Sequence, residues 1–224
     1  MAHFEIEIKS LLGEREHAEA LKQKMCALDP NCSLQSVNKQ LNHYFEGGDI
    51  AALYEQVAPL LSDEQRGKFQ MIVERGSDFS IRTRQRDEEV LLVIKASIDE
   101  GTSANTVKRM EFEEPIEISL DALDALLLAA GYTYQAKWSR EREEFLYKGT
   151  NVCIDCNAGY GYLAEFEKIV PDESEADAVR AELDIIMGEL AVEELPQERL
   201  ARMFEHYNQN WPEYYGTTKV FIIE

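Results

Sequence analysis

Between residues 4 and 9 apolar and charged positions alternate, as Phe4-Glu5-Ile6-Glu7-Ile8-Lys9. A period of two belongs to a β-strand, so Glu5, Glu7 and Lys9 share one face while Ile6 and Ile8 share the other. An ionic face does not fit an ordinary apolar core; it meets water or lines a cavity in which charge is wanted. The pattern returns with Arg82, Arg84 and Arg86, then with Arg109, Glu111 and Glu113, and again with Glu165 and Glu167. Together these runs predict a barrel with a charged interior and an apolar exterior, suited to an anionic, metal-bound ligand.

The period then switches. Ala18, Leu21, Met25 and Leu28 fall at helical spacing and predict a helix over about 14–28, followed by a strand near 41–46. Ile50, Leu53, Tyr54, Val57, Leu60 and Leu61 mark a second helix. Ser62 with Gln65 three residues on is a capping-box signature for a third, so about 47–78 reads as a helical insertion between strands. Strands resume over 79–86, 90–96 and 106–118. Ser119 can cap a helix bearing Leu120, Leu123 and Leu127 that stops at Gly131. Strands over 134–147, 151–157 and 162–170 complete a set of eight, a number able to close a small barrel. Beyond Pro171 the pattern is helical, with Ser174 as a cap and a further helix after Pro196, and the aromatic tail from Trp211 is expected to dock rather than float. The fold class is therefore α+β: an eight-stranded antiparallel β-barrel tunnel with surrounding helices. Residues 1–171 would form the tunnel domain, and 172–224 helices and a tail packed on it.

Composition narrows the partners. The chain has 224 residues, 45% of them apolar, enough for a substantial core. Its net charge of −20 argues against non-specific binding to nucleic acid or to an anionic membrane. No apolar stretch approaches the roughly 18 residues that span a bilayer, and no signal-like segment precedes the first strand, so a cytoplasmic location is expected. Cys26, Cys32, Cys153 and Cys156 read as ordinary thiols, because the two cysteines of Cys153-Ile154-Asp155-Cys156 point to opposite faces of a strand. His3, His17, His43 and His206 show no metal-ligand spacing and read as surface or packing residues.

The chemistry lies in the charged faces. Glu5, Glu7, Glu165, Glu167 and Asp155 offer hard oxygen ligands suited to Mg²⁺ or Mn²⁺. Lys9, Arg82, Arg84, Lys95, Arg109, Arg140 and Arg142 all fall in predicted strands, with Arg82/Arg84 and Arg140/Arg142 each on a common face. Guanidinium forks and lysine point charges suit a phosphate chain, and so many like charges in one cavity call for a polyanion and metal to offset them. The rival phosphate devices, a P-loop or a dinucleotide-binding glycine fingerprint, are absent from the sequence.

At this point the sequence resembles a known family. Glu5-Ile6-Glu7-Ile8-Lys9 is similar to the E-x-E-x-K signature of the CYTH domain, the triphosphate tunnel metalloenzymes. The likeness continues in order through Tyr44-Phe45, Arg82-x-Arg84, Lys95, Arg109-x-Glu111-x-Glu113, Arg140-x-Arg142, Asp155 and Glu165-x-Glu167, over about residues 3–170. It implies that Lys9, Arg82, Arg84, Lys95, Arg109, Arg140 and Arg142 bind phosphates. It further implies that Glu5, Glu7, Glu165 and Glu167 hold Mg²⁺ or Mn²⁺, assisted by Asp155, Glu111 and Glu113, and that Glu5, Glu7, Lys9, Glu165 and Glu167 are the catalytic set. Arg140 stands where the family often has lysine.

Family members divide into triphosphatases, acting on inorganic, thiamine or nucleoside triphosphates, and class IV adenylyl cyclases. The expectation is a metal-dependent triphosphatase. His3-Phe4 resembles the start of some cyclase-like members and keeps conversion of ATP to cyclic AMP as the alternative. A non-catalytic polyphosphate-binding module is the second alternative. The expected partner is a small-molecule triphosphate, with neither a nucleic acid polymer nor a membrane; oligomeric state stays open, a homodimer included.

Overall fold

In this computed structural model residues 4–98 and 108–223 are described. Among the described residues there are eight strands: β1 Phe4–Gly13, β2 Ser33–Gly47, β3 Ser77–Arg86, β4 Glu89–Ile98, β5 Lys108–Pro115, β6 Tyr132–Tyr147, β7 Thr150–Asn157 and β8 Gly161–Val170. The same residues hold six α-helices: α1 Arg15–Leu28, α2 Ile50–Val57, α3 Asp63–Arg75, α4 Leu120–Ala129, α5 Ala176–Leu190 and α6 Gln197–Tyr214. The strands follow the sheet order β1-β8-β7-β6-β2-β3-β4-β5, and the β1–β8, β8–β7, β7–β6, β2–β3, β3–β4 and β4–β5 pairs are antiparallel. The expected α+β fold with an eight-stranded antiparallel sheet is therefore present, but among the described residues the sheet is not closed into the expected barrel. Contacts group the chain into two compact units, one of residues 1–39 and 139–224, the other of residues 40–138.

In the first unit, strand alternation turns Ile8, Val152, Ile154, Ala164 and Phe166 to one side, where α1 presents Ala18, Leu21 and Met25 and α5 presents Val179, Leu183 and Met187. Lys148 and Gly149 between β6 and β7 both have positive φ, at 47° and 72°, the type I′ signature that suits the twist of a two-residue hairpin. Gly161, where β8 begins, has φ 71°, and a Cβ there would lie 2.4 Å from the carbonyl oxygen of Gly13. Only glycine lets β1 and β8 approach so closely at that point. The tail docks as expected: Val220 bridges Gly159, and Phe221 packs edge-on against Tyr160 and Tyr214.

In the second unit, Phe45, Ile81, Leu92, Ile94 and Phe112 face α2, α3 and α4, whose Leu53, Phe69, Ile72, Leu123 and Leu127 complete a second core. The helical insertion thus packs on the apolar side of the sheet. The Ser62 capping box forms in both directions, Gln65 N–H to Ser62 Oγ at 3.3 Å and Ser62 N–H to Gln65 Oε1 at 2.9 Å. Ser62→Ala is expected to cost about 1 kcal/mol of unfolding free energy in urea titration, since it orphans one first-turn donor.

Ser174 does not cap α5. It lies in a short 3₁₀ turn and bonds back to Asp172 through its amide at 2.8 Å and its hydroxyl at 2.6 Å, leaving Glu175 at the cap position without a side-chain bond. The local serine–aspartate turn competes with helix initiation and wins. Strand β2 begins at Ser33, earlier than its apolar alternation, because Leu34 and Val37 are exposed and out of phase. The Thr106 and Val107 portion of the expected strand lies outside the described residues. No helix among the described residues is long and apolar enough to cross a membrane.

Candidate functional site

Register decides which charges meet. In the first unit Lys9 lies opposite Glu165, Glu7 opposite Glu167, Glu167 opposite Asn151, and Arg142 opposite Asp155. Cross-strand partners share a face, so these side chains gather on the side of β1, β8, β7 and β6 that the apolar core does not use. Lys9 Nζ donates to Glu165 Oε1 at 2.8 Å and also bonds Glu7. Arg142 grips Asp155 with a two-pronged fork, Nε to Oδ1 and Nη2 to Oδ2, both at 2.7 Å, and its Nη2 also bonds Glu165. Arg140 adds a bond to Asp155 Oδ2 at 2.8 Å, and Asn151 donates to Glu167 at 2.5 Å.

The electrostatics follow from this chain of alternating charge. Burial penalises the ionised form of Glu165, yet Arg142, Lys9 and Arg140 outweigh it and bring its pKa down to about 2. A folded pKa below the ordinary 4.5 means the pairing stabilises the fold above about pH 4.5, an increment lost as pH falls towards 2. Glu7 goes the other way, raised by burial and then by the charge of Glu165, against the pull of Lys9. Lys9 is raised as well: burial works against its charge, but Glu165 and Glu7 prevail. Burial lifts the Cys153 thiol to about 12, and Cys153 is buried while Cys156 is half-buried, which fits the ordinary role read for them.

The second unit carries its own ionic face. Across β2, β3, β4 and β5, Tyr44 lies opposite Arg82, Asn42 opposite Arg84, Val93 opposite Glu113 and Lys95 opposite Glu111. Arg84 donates from Nε to Asn42 Oδ1 at 2.8 Å and from Nη1 to Glu113 Oε1 at 2.9 Å. Arg82 donates to the Tyr44 hydroxyl at 2.6 Å and sits 5.4 Å from the centre of that ring, while its Nε is buried without a hydrogen-bond partner among the described residues. Lys95 pairs with Glu111 at 3.2 Å.

Of the residues expected from the sequence, Glu7, Lys9, Arg140, Arg142, Asp155, Glu165 and Glu167 share the first unit's ionic face, and Arg82, Arg84, Lys95, Glu111 and Glu113 share the second's. Glu5 and Arg109 lie on β1 and β5, and their side chains, like His3, lie outside the described residues. Asp155 is wholly buried with both oxygens taken by arginine, so it acts as their counter-charge; Glu111 and Glu113 are likewise paired with Lys95 and Arg84. Among the described residues no three His, Cys, Asp or Glu side chains come together as a metal-binding group. The donor chemistry of Glu7, Glu165 and Glu167 nevertheless fits a hard divalent cation: burial first, and then the charges of Glu165 and Glu167, raise Glu7, and a cation would relieve the repulsion among them.

Sequence reasoning missed the acceptors and donors that align the arginines, Asn42 and Asn151 among them. It also missed a buried cluster around Asp124. His43, expected as a surface or packing residue, is a packing one: it is buried and bonds Asp124. A signal existed: Asp124 occupies the same i, i+3, i+4, i+7 stripe as Leu120, Leu123 and Leu127, and all four are buried.

A family model described as CYTH domain matches residues 73–199, more than half of the chain. No curated protein matches the sequence. Solved structures share the fold. The PH1819 protein of Pyrococcus horikoshii OT3 is 17% identical with a TM-score of 0.57, over 91% of this chain and 99% of that one. A conserved hypothetical protein of Pyrococcus furiosus is 16% identical with a TM-score of 0.57, over 87% and 93%. A protein of Vibrio parahaemolyticus described as a putative adenylate cyclase is 14% identical with a TM-score of 0.56, over 90% and 99%.

Proposed function

The chain belongs to the CYTH domain family, and on that premise we propose that it is a metal-dependent triphosphatase acting on inorganic triphosphate or on an organic one such as thiamine triphosphate or a nucleoside triphosphate. The observation that carries this reading is the chain Glu7–Lys9–Glu165–Arg142–Asp155–Arg140 on one sheet face, in which Lys9 and Arg142 are each held between two carboxylates and Arg140 is paired with Asp155. Such a face is built to exchange partners. Phosphate oxygens take the place of Glu165 as acceptors for Lys9 Nζ and Arg142 Nη2, while the Asp155 fork keeps Arg142 oriented through Nε. Glu165, released from its cations, joins Glu7 and Glu167, and Glu5 on the same strand, as oxygen ligands for Mg²⁺ or Mn²⁺. The bound ion would neutralise phosphate charge and lower the cost of the attacking water's ionisation.

Arg82, Arg84, Lys95 and Arg109 are the phosphate-binding residues of the second unit. Carboxylate and phenol partners align Arg82, Arg84 and Lys95, as Asp155 does for Arg142. In hydrolysis, water attacks the terminal phosphorus, the bond to the bridging oxygen breaks, and the arginines stabilise charge on the departing diphosphate. The side chains on these faces address phosphate oxygens and cations, and hydrolysis asks nothing of the organic substituent. That favours a hydrolase over a cyclase, which must also place a ribose hydroxyl against the α-phosphorus.

Product analysis tests the proposal: purified protein is given inorganic triphosphate, thiamine triphosphate and ATP separately, with Mg²⁺ or Mn²⁺. Orthophosphate release, strongest on one compound and abolished by chelation, is expected. Cyclic AMP with equimolar pyrophosphate would replace the hydrolase reading by the cyclase one. Tight binding without turnover would leave the polyphosphate-binding module.

A further inference from the structure

Asp124 projects from α4 into the second unit's apolar core and is only 2% exposed. It accepts three hydrogen bonds: from His43 Nδ1 at 2.7 Å, from Thr83 Oγ1 at 2.6 Å and from the Tyr134 hydroxyl at 2.7 Å. Lys137 Nζ lies 3.9 Å away and sits 4.1 Å over the Tyr134 ring. Burial works against the charge of Asp124, but the bonds from His43, Thr83 and Tyr134 prevail and hold its carboxyl below the usual range.

A buried ionic cluster of this kind is poor evidence for stability, because well-packed apolar side chains of similar volume often serve the fold as well or better. What it supplies is a fixed arrangement of the groups that converge on it. Those groups are telling. His43 and Thr83 lie directly opposite each other across β2 and β3. Their immediate chain neighbours, Asn42 and Tyr44 on one strand and Arg82 and Arg84 on the other, point to the opposite face. There the neighbours form the Arg84–Asn42 and Arg82–Tyr44 hydrogen bonds. Asp124 thus clamps the two strand segments from behind at the one level where both arginines leave the sheet.

We infer that Asp124, with His43, Thr83 and Tyr134, is a positioning cluster for triphosphate binding, holding β2 and β3 so that the Arg82 and Arg84 guanidiniums are set for phosphate oxygens before the ligand arrives. The inference rests on the triphosphate reading and adds to it a set of residues that never touch substrate. Preset guanidinium forks lose less freedom on binding, so loosening the clamp weakens ground-state binding and leaves the chemical step alone.

Thr83 offers the cleanest test, since Val matches its shape without the hydroxyl and Ser keeps the hydroxyl. The full chain is titrated calorimetrically with inorganic triphosphate in Mg²⁺, and KM and kcat are measured on the same compound. Thr83→Val is expected to raise Kd and KM about tenfold, the loss of roughly one hydrogen bond's worth of order, with kcat within about twofold. Thr83→Ser is expected to restore both to within about twofold. A folded Thr83→Val protein that binds as tightly as the unaltered chain would overturn the inference, and so would a Thr83→Ser protein as weak as Thr83→Val. If Thr83→Val does not fold, Tyr134→Phe, which deletes one hydroxyl from a half-exposed ring, decides: a rise of about threefold supports the clamp, and unchanged affinity overturns it. An unaltered chain that takes no triphosphate overturns the functional reading and this inference together, whereas tight binding indifferent to all three variants overturns the inference alone.

Discussion

Asp155→Asn is expected to lower the unfolding free energy by about 3 kcal/mol, close to the loss seen when one partner of a buried ion pair is removed. For a chain of this size that corresponds to a fall in Tm of roughly 10 °C. Asp155 is fully buried and takes hydrogen bonds from both Arg140 and Arg142, including the two-pronged fork. The amide keeps the shape of the carboxylate but removes the charge and offers donors where acceptors are needed. Arg142 keeps Glu165, and a single amide oxygen is left to accept where Arg140 and Arg142 share two. Added salt should not restore the loss, because these charges are screened far less than surface pairs. A melt that matches the unaltered protein would mean that the two arginines find other counter-charges and that the fork carries little.

Arg84→Ala is expected to raise the KM for triphosphate about thirtyfold with a small change in kcat, as for the loss of a charge-assisted hydrogen bond worth about 2 kcal/mol in ground-state binding. Arg84 is itself buried and tied to Asn42 and Glu113, so its guanidinium is held in a single orientation. Arg84→Lys keeps the charge and loses the planar fork, and an intermediate KM, about fivefold raised, is expected. Steady-state kinetics on inorganic triphosphate with Mg²⁺ checks both variants. An unchanged KM in Arg84→Ala would remove the second unit's face from the phosphate-binding assignment while leaving the first unit's untouched.

How far such residues could be read from the chain differs by the range of the interaction. The Ser62 capping box was visible because its two hydrogen bonds join residues three apart, and helix geometry alone brings them together. Ser174 looked equally convincing, yet Asp172, two residues before it, captured the hydroxyl first. Short motifs compete only with their neighbours, and there the competitor was in plain view. Glu111, Glu113 and Asp155 share residue type and order with the other expected metal ligands, and that pattern does not name the lysine or arginine the structure places beside each of them.

Alternation along each strand determined by itself which side every charged residue takes, from Glu7 and Lys9 to Arg82, Arg84, Arg140, Arg142, Glu165 and Glu167. That parity is a property of local backbone geometry and needs no knowledge of the rest of the chain. Which cation meets which carboxylate was decided only by tertiary structure. Lys9 reaches Glu165 across 156 positions of sequence, and His43 reaches Asp124 across 81. Pairings of that kind depend on strand register and on where a helix lands, and both are set by the packing of apolar faces far from the charges themselves.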